Sequence, residues 1–303
     1  MGAVGYSLRS PARRSDVCCG SGKAGPVCHA VAVHSSAPSA TAQNVALARA
    51  HLTGAGILDD PYAAAMLRPR WALLYKALRL PVLSGAGRNR TFAWLAARTR
   101  FFDDAVCDAL DAGIGQVVVL GAGYDSRAWR FARPGVRFFE VDHPATQVDK
   151  RSRAPAGGPA YVPVDLGTGS LPAALHTAGY QDLPTLFVAE GLTMYLTEPQ
   201  VRDLLRALRE LGPAGSRLAV NFGLGAVDAS SRADAMLLRA QRAMSGERIT
   251  FRPSQVVAGE VLAATGWTAG PMLTAPELVR HYLTGTGLPV DDVRPTAFAV
   301  TAN

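Results

Sequence analysis

Short apolar runs punctuate the middle of this chain, each closed by glycine, proline or an acid. Gln116–Leu120, Val136–Asp142, Ala160–Val164, Thr185–Ala189 and Arg217–Phe222 are of strand length. The first of these runs is rich in β-branched residues with no charge, as in a strand buried on both faces of a parallel sheet. Between them the pattern switches to helical spacing. Pro144 opens a helix to about Arg153, and another starts near Ser170. Thr197-Glu198-Pro199 starts a third, with Val201, Leu204, Leu205, Leu208 and Leu211 on one stripe and a stop at Gly212-Pro213. Strands alternating with helices predict an α/β fold with helices on both faces of the sheet. Ala297–Thr301 returns as a closing strand.

The N-terminal third is helical in pattern. Thr41 to Thr53 is a helix with Thr41 as its N-cap, and Asp59-Asp60-Pro61 opens a second that must stop before Pro69. Trp71 to Leu80 is amphipathic and closes at Pro81, and Gly85–Asn89 is a loop. Thr91 caps a long helix through Asp111, with Phe101, Phe102, Ala105, Val106, Ala109 and Leu110 on one stripe and Gly113 past its end. Residues 228–284 read as mostly helical, with breaks at Gly246, Pro253 and Gly266. Residues 1–36 carry no periodicity and read as a disordered extension without a signal peptide. Residues 37–303 then form a single domain, whose segments 41–112 and 225–285 are expected to make a helical lid.

The first strand ends in Gly121-Ala122-Gly123, a turn where backbone can approach a ligand with no Cβ in the way. Open α/β sheets bind nucleotide-like ligands at that position. The second strand ends in Asp142, nineteen residues after Gly123, where an acid accepts hydrogen bonds from ribose hydroxyls. Together they predict an adenosine-containing cofactor. Arg98, on the long helix, can clamp a carboxylate or stand as a solvated helix arginine, whereas Arg100 belongs to another face and reads as structural. Asp165, after the third strand, is either an acceptor for the adenine amine or the N-cap of the helix near Ser170. Glu190 follows the fourth strand, where a carboxylate needs a partner.

Leu120–Arg127 (LGAGYDSR) and Phe139–Pro144 (FEVDHP) resemble the leucine carboxyl methyltransferase family of S-adenosylmethionine-dependent enzymes. So do Thr41–Ala50, Arg98–Asp104, Val162–Leu166 and Ala189–Leu196, in order, and the likeness runs from about Thr41 to the C-terminus. The resemblance implies a Rossmann-like class I methyltransferase sheet. It implies S-adenosylmethionine contacts at Gly121, Ala122, Gly123, Asp125, Asp142, Asp165 and Leu166, with Arg98 on the methionine carboxylate. It puts Glu190 near the methionine part and Tyr195 near the reacting centre, though Tyr195 is equally readable as a core tyrosine. The activity implied is O-methylation, of a carboxylate on a small, anionic molecule or of a hydroxyl. A hydroxyl needs a general base, for which His143 and His281 are the histidines to nominate.

Composition narrows the alternatives. Charged residues make up 18% and apolar residues 49% of 303, which excludes global disorder, and no apolar run reaches membrane-spanning length. The net charge is +7, but it includes no basic stripe with aromatic platforms, so nucleic acid is not an expected partner. The cysteines fit no zinc spacing and suit a reducing, cytoplasmic setting. The sequence shows no zinc motif, no residue order suggestive of a catalytic triad and no phosphate-loop motif, so no metal is expected. A nicotinamide-dependent oxidoreductase would want a third small residue in the glycine turn without an acid beside it, and Asp125-Ser126 counts against it. A non-catalytic cofactor binder is the remaining rival, and every expected cofactor position is filled.

Overall fold

The computed structural model describes residues 37–80, 90–225, 249–290 and 295–303. The expected extension 1–36, the loop at Gly85–Asn89 and much of the second expected lid segment lie outside these residues. The strands are β1 Gln116–Leu120, β2 Arg137–Asp142, β3 Ala160–Pro163, β4 Thr185–Ala189, β5 Arg217–Gly223, β6 Thr268–Ala269, β7 Leu273–Thr274 and β8 Thr296–Ala302. They form one sheet in the order β3-β2-β1-β4-β5-β8, with β6 and β7 both pairing with β8. β1 to β5 run parallel and β8 is antiparallel to β5. The strand order reverses between β2 and β4 around β1, which opens a crevice at the carboxyl end of β1.

Alternation along the strands divides the buried residues between two faces. Val117, Val119, Phe138, Leu186, Val188 and Ala219 enter one core. They meet α3 (Arg90–Asp111) and a late helix, Ala275–Leu283, that packs on α3. Val118, Leu120, Phe139, Phe187, Leu218 and Val220 enter the other core. They pack on helices Leu171–Thr177, Glu198–Leu211 and Gln255–Ala264. A third, smaller core joins α1 (Ala40–Gly54), α2 (Pro69–Leu78) and the turns between them to Tyr124, just past the glycine turn. α3 does not behave as lid along its whole length. Its stretch from Phe101 to Leu110 is part of the layer under the sheet.

Several local expectations change. Ser39, not Thr41, caps α1, because the Ser39 hydroxyl accepts the Ala42 N–H at 3.0 Å. Thr91 falls inside α3, which begins at Arg90. The segment after Asp59-Asp60-Pro61 forms successive turns over residues 61–66 instead of a helix. Asp60 caps the first of them through the Tyr62 and Ala63 N–H groups, and Pro69 bars helical backbone at Arg68. Among the described residues of 228–284, two-residue strands interrupt the helices, because β6 and β7 pair with β8. No described helix is long and apolar enough to cross a membrane.

Phe102 is fully buried between α3 and the sheet. Phe102→Ala is expected to cost about 3–5 kcal/mol in urea unfolding, the range for emptying a buried aromatic site. Val256→Ser, at a side chain 71% exposed, is expected to stay within about 0.5 kcal/mol of the parent.

Candidate active site

Strand register assembles the site. Leu120 pairs with Val141, Val119 with Val188 and Ala189 with Val220. The residues that follow Val141, Leu120, Ala189 and Val220 are Asp142, Gly121, Glu190 and Asn221, in a single row across the carboxyl edge of the sheet. Alternation turns Asp142, Glu190 and Asn221 to the α3 side, since Phe138, Val188 and Ala219 enter that core. Residues from four strands thus converge at the crevice.

The glycine turn has its backbone in the left-handed region at Gly121 (φ 61°) and Gly123 (φ 52°). Close contact adds a second constraint, because a Cβ on Gly123 would stand 2.9 Å from the Ala42 Cβ of α1. The Gly123 N–H donates to Asp142 Oδ2 at 2.5 Å, and the His143 N–H donates to Oδ1 at 2.6 Å. Asp142 is therefore held at the end of β2 with lone pairs remaining for a ligand, and burial raises its carboxyl above the usual range. His143 caps the helix Pro144–Arg151, its Nδ1 accepting the Ala145 N–H at 3.3 Å.

Behind the turn lies a fully buried guanidinium. Arg127 Nη1 meets Asp125 at 2.5 Å and Glu190 at 2.8 Å, and its Nε meets Asp103 of α3 at 2.7 Å. Arg98 Nε holds the other oxygen of Glu190 at 2.8 Å, and its guanidinium lies over the Trp94 ring at 4.6 Å. The Nη1 and Nη2 groups of Arg98 make no hydrogen bond among the described residues. Burial pushes Glu190 upward, but Arg127 and Arg98 outweigh it, so the carboxyl titrates below its ordinary range. Burial also opposes ionisation of Asp125, yet Arg127 leads the charges that bring it down to about 2. Arg130 completes the cluster by forking onto Asp103 at 2.7 and 2.9 Å.

The remaining expected residues fall on or beside this edge. Asp165 is half-buried after β3 and accepts the Gly167 N–H at 2.8 Å. It is not the helix N-cap, which is Ser170. Leu166 packs against the second core, and Ala122 is buried with its N–H on the Val141 carbonyl. Tyr195 is half-buried in a single 3-10 turn, Thr193–Tyr195, that follows Glu190. Arg100 is structural as expected, binding the Tyr282 and Ile57 carbonyls. His281 is exposed near the end of the late helix.

Sequence reasoning missed Arg127, Asp103 and Asn221. Arg127 stood in the motif after Asp125-Ser126, and its signal was an arginine bordering a turn meant to be buried. Asp103 and Asn221 carried no signal of their own.

Comparison with known proteins follows the same lines. The sequence profile of the leucine carboxyl methyltransferase family matches residues 40–209. A relative from Mycobacterium sp. (strain JLS), provisionally named an S-adenosyl-L-methionine-dependent methyltransferase, is 40% identical over 216 residues, covering 64% of this chain and 70% of the relative. A relative of the same provisional name from Mycobacterium avium (strain 104) is 34% identical over 291 residues, covering 86% and 91%. Among solved structures, a provisionally named methyltransferase from Thermobifida fusca YX superposes with a TM-score of 0.55 at 14% identity, covering 92% of this chain and 99% of that one. A DUF574-family protein from Streptomyces avermitilis MA-4680 does so at 0.53 and 17%, covering 84% and 96%. These two likenesses concern the fold, which is the Rossmann-like class I methyltransferase sheet expected from the sequence.

Arg127→Met is expected to cost about 3–5 kcal/mol in urea unfolding, because it leaves three carboxylates without their shared cation. The acid limb of stability tests the same cluster. Asp125 has a depressed carboxyl, so its contribution is present above its unfolded value near 4 and is lost as pH falls toward about 2. The urea midpoint is expected to fall across that window, and less steeply in Asp125→Asn.

Proposed function

This chain belongs to the leucine carboxyl methyltransferase family of S-adenosylmethionine-dependent enzymes, and we propose that it methylates a carboxylate of a small organic molecule, releasing a methyl ester. When bound, the cofactor supplies a methyl already activated on a sulfonium. The chain's own tasks are then to hold two partners in line and to exclude water.

The residues present fit that cofactor. Asp142 receives the ribose hydroxyls with the lone pairs that Gly123 and His143 leave open. Gly121, Ala122 and Gly123 allow the chain of the ligand to pass close over the backbone, beside Asp125. Asp165 takes the adenine amine, with Leu166 beside it. Arg98 offers its two terminal NH2 groups to the methionine carboxylate, and Glu190, held ionised, faces the cationic end. We assign Tyr195 to the acceptor, at the reacting centre.

The observation that carries the carboxylate reading is how the titratable groups at and beside the row are engaged, with the lone pairs left on Asp142 going to the ribose in the cofactor reading. Both oxygens of Glu190 are in ion pairs with Arg98 and Arg127. Asp125 is paired with Arg127, Asp142 takes two backbone N–H groups, and His143 spends Nδ1 on a helix cap. A general base needs a free lone pair and a pKa near the working pH. Of these carboxylates Glu190 and Asp125 are depressed. A carboxylate acceptor needs no base, since it is ionised near neutrality. Its attack on a sulfonium also joins opposite charges in a dry site, where their attraction is strongest.

The test is incubation with methyl-labelled S-adenosylmethionine and a fractionated small-molecule extract. Label released by mild alkali is expected, with a rate that is flat above about pH 6. Alkali-stable label and a rate still climbing between about pH 7 and 9 would establish a hydroxyl acceptor instead.

A further inference from the structure

One polar side chain in the row has no part in the scheme above. Asn221 is fully buried on β5, beside Glu190 and on the same side of the sheet. Its Oδ1 accepts the Gly191 N–H at 2.7 Å, and its backbone carbonyl accepts the Thr193 hydroxyl at 2.9 Å. The first bond fixes the orientation of the amide, because a donor at Gly191 demands the oxygen and not the nitrogen. Among the described residues Nδ2 then carries two protons with no acceptor, shut away from solvent. A buried donor left unspent is costly, and it calls for a partner.

Arg98 approaches the same glycine. A Cβ on Gly191 would stand 3.2 Å from Arg98 Nη1, so the residue between the two side chains must be small. Gly191 also has positive φ, at 66°. Two groups with unspent donors, one cationic and one neutral, therefore flank a single residue. They sit at the end of the row opposite Asp142. A ligand anchored by its ribose at Asp142 and passing over Gly121 and Glu190 ends there.

We infer that Asn221 and Arg98 form a carboxylate-binding pair, in which Asn221 Nδ2 donates to the carboxylate at the methionine end of S-adenosylmethionine. This rests on the cofactor reading above and adds a residue to it. A carboxylate offers about four lone-pair directions, so it accepts from Arg98 Nη and Asn221 Nδ2 together. Glu190 keeps its hold on Arg98 Nε throughout. The Gly191 link makes Asn221 a positioning residue as well, since its Oδ1 sets the peptide against which the Arg98 guanidinium rests.

Calorimetry with two nucleosides separates these roles. S-adenosylhomocysteine has the carboxylate, and 5′-methylthioadenosine keeps the adenosine and sulfur without it. Asn221→Asp preserves an acceptor for the Gly191 N–H but removes the Nδ2 donor, and Asn221→Ala removes both without adding charge. In each variant S-adenosylhomocysteine is expected to bind about tenfold or more weakly, from the loss of a hydrogen bond to a charged group. Methylthioadenosine is expected to stay within about twofold in Asn221→Asp. Equal losses for both nucleosides in that variant, or an unchanged affinity for S-adenosylhomocysteine, would overturn the assignment. Should Asn221→Asp not fold, the ratio of the two losses in Asn221→Ala decides on the same criterion. A parent protein that binds neither nucleoside overturns the cofactor reading itself, and with it the pair.

Discussion

A guanidinium without water must find its counter-charges within the protein, and Arg127 finds them on three separate elements. Asp103 comes from α3, Asp125 from the glycine turn and Glu190 from the end of β4. Removing a cation from water costs several kcal/mol unless the pairing is close and well oriented. The three elements are therefore held in one arrangement by a shared need. The turn cannot drift from β4, and α3 cannot slide along the sheet, without stranding a charge. Arg98, Arg127 and Arg130 balance Asp103, Asp125 and Glu190, so the described cluster is formally neutral.

That constraint also shapes what the edge can do. Glu190 is the one acid in the row whose oxygens both face arginines, and this keeps it ionised and poorly basic. In the cofactor reading proposed above, it is a preorganised carboxylate within a neutral cluster. Such a charge suits a cationic ligand, because a preorganised charge needs no rearrangement when the ligand's own charge changes. On the other side of the glycine turn, Tyr124 ties the small helical core to the sheet. Its ring is buried there, its carbonyl accepts from Arg49, and its hydroxyl donates to Asp149 at 2.6 Å. α1 is thereby seated on Gly123, where only a glycine leaves room for Ala42.

Much of the fold was legible because strands buried on both faces announce themselves locally. β1 and β4 begin and end where the apolar runs do, and Gly113 ends α3 with positive φ as its place after the stripe implies. The glycine turn and Asp142 were legible for a related reason, since both sit at fixed offsets within one βαβ unit. Helix starts were less so. Ser39 and Thr41 carry the same hydroxyl, and which one caps α1 depends on where packing begins the helix. Asp60 illustrates a further limit. Its sequence reads as a cap with a helix to follow, but its carboxylate also meets the buried Arg49 at 3.0 Å, and the residues after it form only turns.

The sequence by itself determined the five parallel strands, the closing strand, the glycine turn and the acids at the ends of β2 and β4. Only the tertiary structure decided their partners: that Arg127 and not solvent meets Glu190, that Arg98 Nε and not its outer nitrogens holds Glu190, and that Asn221 stands next in the row. The physical reason is range. Periodicity and turn chemistry act over a few neighbouring residues, whereas a buried charge or amide is satisfied by whatever group the sheet register carries to its side. Asp103, Asp125 and Glu190 lie on three different elements, and nothing local in any of them specifies the arginine that they share.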